Sequence, residues 1–144
     1  MAFIRYANEK DLADITYLMD ELGYKTTQSE MKERLKKLSN HSDYHTFVAE
    51  IDHQVVGLLG LHIGLAYEFS GCYGRILCMV VNQEFRRMGI GQQLMAEAEK
   101  LIIKNEGNAI VLNSGNRVER ADAHKFYLDL GDNLKSSGFV KKLV

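Results

Sequence analysis

Gly89 and Gly91 follow a pair of arginines, Arg86 and Arg87, after one intervening residue, Met88, and stand at the head of a stretch with helical periodicity. Upstream lies the apolar run Ile76-Leu77-Cys78-Met79-Val80. A buried strand that passes through a short basic loop with glycines into a helix makes an anion cradle. The first backbone N–H groups of the helix have no intrahelical partners and point outward, and the helix dipole adds partial positive charge. Glycine at this point lets the backbone approach a bulky phosphate, because no Cβ stands in the way. The ligand chemistry that suits such a cradle is a pyrophosphate. Two familiar phosphate loops fail on spacing. A P-loop needs lysine and Ser/Thr after its last glycine, where Gln92 and Gln93 stand, and the dinucleotide fingerprint needs glycine at Leu94. The pattern present is Arg86-x-x-Gly89-x-Gly91.

Other chemistries find less support. The five histidines (His41, His45, His53, His62 and His124) show no metal-ligand spacing on one helix, since Asn40 and Ser42 place His41 and His45 around a loop. No metal is expected. Cys78 reads as a small buried hydrophobe, with no histidine adjoining it in sequence. Cys72 and Cys78, if on one strand, stand ~20 Å apart and cannot bridge each other.

The elements that must position the cradle follow from periodicity. Residues 2–7 suit a first strand. Asn8 caps a helix with Asp11 at its third position, Leu12, Ile15, Leu18, Met19 and Leu22 on one face, and Gly23 at its end. Thr27-Gln28-Ser29-Glu30 is a capping box opening a second helix with Met31, Leu35 and Leu38 inward; its basic side is a solvated face. Strands over 46–51 and 54–61 flank an Asp52-His53 hairpin turn, and a third runs from about Tyr73 to Val81. The helix after the cradle buries Leu94, Met95, Ala98, Leu101 and Ile102 and stops near Gly107. Ala109–Leu112 is apolar throughout, as in the centre of a sheet covered on both faces. A last helix is expected from Asn116 to Gly131, and the tail from Lys135 has room for a hairpin.

With 144 residues, the chain is expected to be one domain over 1–144, with a single core. A net charge of -1 gives no field for nucleic acid or an anionic membrane, so neither is expected as a partner. No apolar run approaches the ~20 residues of a membrane span, and the N-terminus lacks a signal-peptide core. Together with two free thiols, this reads as a cytoplasmic protein, and a homodimer is compatible with it. Proline is absent.

Val81, Glu84, Phe85 and the Arg86-x-x-Gly89-x-Gly91 pattern together resemble motif A of the GCN5-related N-acetyltransferase (GNAT) superfamily. Ala123-His124-Lys125-Phe126-Tyr127-Leu128-Asp129-Leu130-Gly131 resembles its motif B, and the element order β-α-α-β-β-β-α-β-α-β-β is similar over nearly the whole chain. Asp132 departs from the aromatic usual after the motif B glycine, Arg120 from a frequent asparagine, and Gln83 from a frequent proline. The resemblance implies an α/β fold with a mixed, mostly antiparallel central sheet flanked by about four helices on both faces. It implies acetyl-CoA as cosubstrate and direct transfer to an amine of a small molecule or a peptide or protein. It also implies that backbone groups of Met79 and Val81 bind the pantetheine amides. The N–H groups of Arg87, Met88, Gly89, Ile90, Gly91 and Gln92 would hold the pyrophosphate, with Arg86 and Arg87 side chains adding charge.

By the same resemblance Tyr127 is the candidate general acid, its O–H donating to the departing thiolate. The base is less legible. Some family members carry a glutamate where Arg75 stands, and no residue from 73 to 81 is acidic. Glu68, His62 and Tyr67 lie on or near the connection before that strand. Deprotonation is therefore expected to run through water or bulk solvent. Arg75, if it faces the acceptor, favours neutral or anionic amines, whereas cationic ones would need Asp20, Glu21, Glu30 or Glu68. The reading from a different class is a non-catalytic acyl-CoA-binding module that keeps the cradle without a base.

Overall fold

The computed structural model describes residues 1–112 and 140–143. The chain divides into two compact units, Met1–Val111 and Leu112–Val144, and the architecture below is that of the first. Its five strands are β1 (Phe3–Tyr6), β2 (Tyr44–Ile51), β3 (Gln54–Leu65), β4 (Cys72–Val81) and β5 (Gly107–Leu112), the last running one residue past the boundary. They lie in the spatial order β1-β2-β3-β4-β5, and the β1–β2, β2–β3 and β3–β4 pairs are antiparallel. Three α-helices occur among the described residues: α1 (Leu12–Leu22), α2 (Gln28–Ser39) and α3 (Ile90–Lys104). The helix expected from Asn116, the tail hairpin and Tyr127 with the rest of the second motif lie outside the described residues.

Local chemistry sets the element ends. Asn8 and Asp11 cap each other reciprocally: the Asp11 carboxylate accepts the Asn8 N–H at 2.8 Å, and the Asn8 side chain accepts from Lys10 N–H at 2.9 Å. This pulls residues Glu9–Asp11 into a tight 3₁₀ turn, so α1 begins only at Leu12. Gly23 closes α1 with φ 105°, a left-handed cap. The Thr27–Glu30 capping box is formed in both directions at 3.1 and 3.0 Å. Asp52 and His53 both adopt positive φ (48° and 66°), as a two-residue hairpin matched to strand twist requires. β2 and β3 extend beyond their expected ends, to Tyr44 and Leu65. β5 is an apolar run, yet Val111 is exposed and the strand's burial is mixed rather than complete.

Each sheet face has its own packing. Ile15, Leu18 and Met31 from α1 and α2 pack on Val48, Val55, Leu58 and Val80. On the opposite face α3 buries Ile90, Leu94, Met95, Ala98 and Ile102. Two glycines let that helix sit close. A Cβ at Gly57 would stand 3.1 Å from Leu94 and 3.2 Å from Ile90, and one at Gly74 would overlap the Ile102 side chain.

At the edge strand, Arg5 faces the α1 side opposite Val48. Its guanidinium bonds both Asp11 carboxylate oxygens (2.8 and 2.9 Å), Glu50 Oε1 (2.7 and 3.0 Å) and the Tyr6 carbonyl (3.1 Å). These partners, Asp11 first, raise the Arg5 pKa well above its ordinary value against the opposing effect of burial. Burial alone would raise the Asp11 carboxyl. The bonds from Arg5 and from the Asn8 N–H outweigh it and hold that group below the usual carboxylate range.

Candidate active site

The strand leading to the cradle is not regular. Gly60 pairs with Cys78 but Leu61 with Ile76, so Leu77 is the extra residue of a β-bulge. A one-residue slip in pairing exchanges the two faces of a strand. Cys78 and Val80 accordingly pack with the α1 and α2 core, whereas Gly74 lies against Ile102 of α3. Val81 opposes Gly57, on which α3 sits, and Met79 shares its side by alternation. Arg75 lies on the other face, opposite His62.

The backbone follows the same logic. The Asn82 N–H donates to the Val56 carbonyl of β3 at 2.8 Å. Along a regular strand alternate residues direct their N–H and C=O to the same neighbour. The polar groups of Met79 and Val81 therefore face away from β3, toward the β5 side. The Val81 carbonyl accepts a bond from Arg86 Nε at 3.2 Å, which folds Arg86 back onto the strand end.

Asn82 then turns the chain. It is buried, and its side chain accepts the Glu84 N–H at 3.0 Å while its carbonyl accepts the Phe85 N–H at 2.8 Å, winding Gln83–Phe85 into a 3₁₀ turn. The Gln83 N–H donates to Glu21 Oε1 at 3.2 Å, tying the end of α1 to this turn. Arg87 adopts φ 64° and Gly89 φ 79°. A non-glycine residue in the left-handed region is uncommon and marks a constrained backbone. A Cβ on Gly89 would have open space around it, so its conformation, not crowding by the protein, is what calls for glycine. Gln93 N–H to Gly89 C=O (3.1 Å) is the first full helical bond of α3. The N–H groups of Ile90, Gly91 and Gln92 precede that ladder and point out of the helix end. Arg86, Arg87, Met88, Gly89 and Gln92 are exposed, Gly91 is half-buried, and Ile90 is anchored in the core. All the cofactor residues expected from the sequence thus fall on one continuous path, from the β5-facing side of β4 into the start of α3.

On the α1 side of the sheet, Tyr44, His62 and Arg75 form a row across β2, β3 and β4. The Tyr44 and His62 rings lie 4.5 Å apart, and His62 Nε2 is 3.0 Å from Asp43 Oδ2. The hydrogen bond from His62 holds the Asp43 carboxyl below its usual range. Glu68 sits in the exposed β3–β4 connection and accepts the N–H of Tyr67. Asp20 is exposed, and the Glu30 carboxylate is engaged in its capping box. Burial pushes the Cys78 thiol up, which suits a packing residue and not a nucleophile. Among the described residues no group of three or more His, Cys, Asp or Glu is placed to hold a metal ion, and no helix is long and apolar enough to cross a membrane. The bulge, the buried Asn82 and the Glu21 contact were not anticipated; of these, only Asn82 followed by Glu84 carried a local signal, that of an Asx turn.

The profile of the Acetyltransferase (GNAT) family matches residues 12–131. The chain belongs to that family. The chain is 32% identical over 90 residues to the aminoalkylphosphonate N-acetyltransferase of Salmonella typhimurium, a match covering 62% of this chain and 57% of the relative. A GNAT family acetyltransferase from Staphylococcus aureus has a solved structure that superposes with a TM-score of 0.83 at 34% identity, covering 99% of this chain and 98% of the other. An aminoglycoside acetyltransferase from an uncultured soil metagenomic sample shares the fold at TM-score 0.82 and 20% identity, over 99% and 97% of the two chains.

Proposed function

We propose that this acetyltransferase carries an acetyl group from acetyl-CoA directly to a primary amine within a ternary complex. The observation that supports this most is the left-handed turn through Arg87 and Gly89 at the open end of α3, continuous with a β4 edge whose Met79 and Val81 amides face away from β3. In this reading the N–H groups from Arg87 to Gln92 hold the pyrophosphate, and Met79 and Val81 bind the pantetheine amides. Arg86 fastens the loop to Val81, leaving Arg87 as the freer phosphate charge. The ammonium first loses a proton to water. The neutral amine forms its C–N bond as the C–S bond breaks, and the nitrogen's remaining surplus proton passes to water. The Tyr127 hydroxyl gives its proton to the departing sulfur and is reprotonated from solvent. With no acid on β4, proton removal has no carboxylate there to use. The acceptor of the Salmonella relative, an aminoalkylphosphonate, is a small amine, which supports a small-molecule acceptor over a protein one. The unpaired Cys72 and Cys78 suit a cytoplasmic setting.

The test combines calorimetry with release of free CoA thiol over a panel of amines. Gly89→Val places a β-branched residue in a left-handed conformation, where it is strained, and fills the open space at the cradle. Loss of acetyl-CoA binding in a variant that keeps its far-UV signature is the expected result; unchanged affinity overturns the assignment. Tyr127→Phe is expected to lower turnover more than acetyl-CoA affinity.

A further inference from the structure

Arg75 is half-buried, yet among the described residues its guanidinium has no carboxylate or carbonyl partner. A half-buried arginine packs its stem and keeps free donors open to a partner from outside the fold. Its surroundings are built rather than loose. His62 stands directly opposite it on β3, and Tyr44 opposite His62 on β2. The His62 ring lies over Gly64, 3.1 Å from the place a Cβ would occupy, and Tyr73 comes within 3.8 Å of that same place from β4. Asp43, the carboxylate bonded to His62, is itself turned toward that ring. Opposed residues in an antiparallel pair put their side chains on one face, so these rings and Arg75 share a surface.

The bulge sets this surface beside the reaction path. Met79 and Val81 line the edge assigned above to pantetheine, Leu77 is the bulged residue, and Arg75 lies two residues further along β4. At a rise of ~3.3 Å per residue, the Arg75 and Leu77 Cα atoms stand about 6–7 Å apart. An amine beside the bulge would thus be a few bonds from a group held by Arg75. A guanidinium with free donors is suited to planar or tetrahedral oxyanions, which it grips in bidentate fashion.

We propose that Arg75, opposite His62 in the row that begins at Tyr44 and two residues from Tyr73 along β4, binds an anionic group of the acceptor, so that the preferred substrates are short amines also bearing a carboxylate or phosphate. This rests on the acetyl-transfer reading above and names its substrate class. Arg75 acts on affinity and specificity and has no part in the bond changes.

Three two-carbon amines separate the cases: β-alanine, O-phosphoethanolamine and ethanolamine, assayed by thiol release with acetyl-CoA. At least one of the two anionic amines is expected to exceed ethanolamine in kcat/KM by about tenfold or more, and which one does so distinguishes a carboxylate from a phosphate. Arg75→Ala should raise KM for that amine by about tenfold with little change in kcat, leave ethanolamine unaffected, and leave acetyl-CoA affinity intact; Arg75→Lys should recover part of the loss. Preference for ethanolamine, or an equal loss on all three amines, overturns the proposal. A chain that binds acetyl-CoA but acetylates neither these three nor any amine of the wider panel contradicts the acetyl-transfer reading. In that event, titration of O-phosphoethanolamine and β-alanine into the CoA complex of wild type and Arg75→Ala decides the anion site separately: binding of either that the substitution removes sustains it, and no binding of either sinks it.

Discussion

Arg5 and Arg75 project from the same face of the same sheet, three strands apart, and their surroundings differ completely. Arg5 has two carboxylates and a carbonyl within hydrogen-bond distance, and its side chain is only 22% exposed. Arg75 is half-buried without an ionic partner among the described residues. The first charge closes a network that joins β1, β2 and the turn into α1. The second is left open on a surface of aromatic rings. The contrast separates two uses of one residue type: a saturated cation stabilises the fold, whereas an unsaturated one is available to a ligand.

The sharpest way to break this contrast is to remove each arginine and measure stability. Arg5→Ala leaves the nearly buried Asp11 carboxylate without its counter-ion. The expected loss is about 3 kcal/mol, at the low end for a buried pair because Arg5 and Glu50 keep 22% and 24% exposure. Urea unfolding should show it as a lower midpoint at unchanged slope. A loss below ~1 kcal/mol would place the network among ordinary surface pairs.

A pH series sharpens the same point. Because the folded-state pKa of Asp11 is depressed, its contribution is present above the unfolded value of about 3.9 and is lost as pH falls through the folded value. In Arg5→Ala the largest force lowering that pKa is gone while burial still raises it, so the stability gap between wild type and variant should narrow below about pH 4. A gap that stays constant down to pH 2 would detach Asp11 from the effect. The smallest expected change is that of Arg75→Ala: unfolding within about 0.5 kcal/mol of wild type, since no internal bond is lost. A drop comparable to that of Arg5→Ala would return Arg75 to a structural role.

Features that depend on a few neighbouring residues were legible in the sequence. The Thr27–Glu30 box, the Gly23 cap, the Asp52-His53 turn and the glycine-bearing start of α3 all formed where the residue types called for them. The apolar faces of α1 and α3 did as well, because burial there follows a 3.6-residue period. The facing of Arg75 could not be read in this way. On an unbroken strand, residues 75, 77, 79 and 81 would share one side. The bulge at Leu77 places Arg75 on the side opposite Met79 and Val81, and a bulge is a property of the β3–β4 register, not of β4 alone. The added length of β2 and β3 was hidden for a related reason. At that end the strands carry Tyr44, His45, His62 and Gly64 in place of an apolar alternation, so only the pairing partner shows that the ladder continues. Tyr127 lies outside the described residues, and its role rests on the family motif.

The close seating of Ile102 over Gly74 has a mechanical consequence for the other end of α3. The helix is a stiff rod of 15 residues, ~22 Å long, with Ile102 near its far end and the left-handed Arg87–Gly89 turn at its head. Its inclination to the sheet is fixed by how deeply that far end settles, and the missing Cβ at Gly74 sets this depth. A single methyl added there would lift the tail of the rod and tip its head the other way about the Gly57 contact. The setting of the Arg87–Gly89 turn is therefore adjustable from the opposite end of the helix, by leverage and with every residue of that turn unchanged.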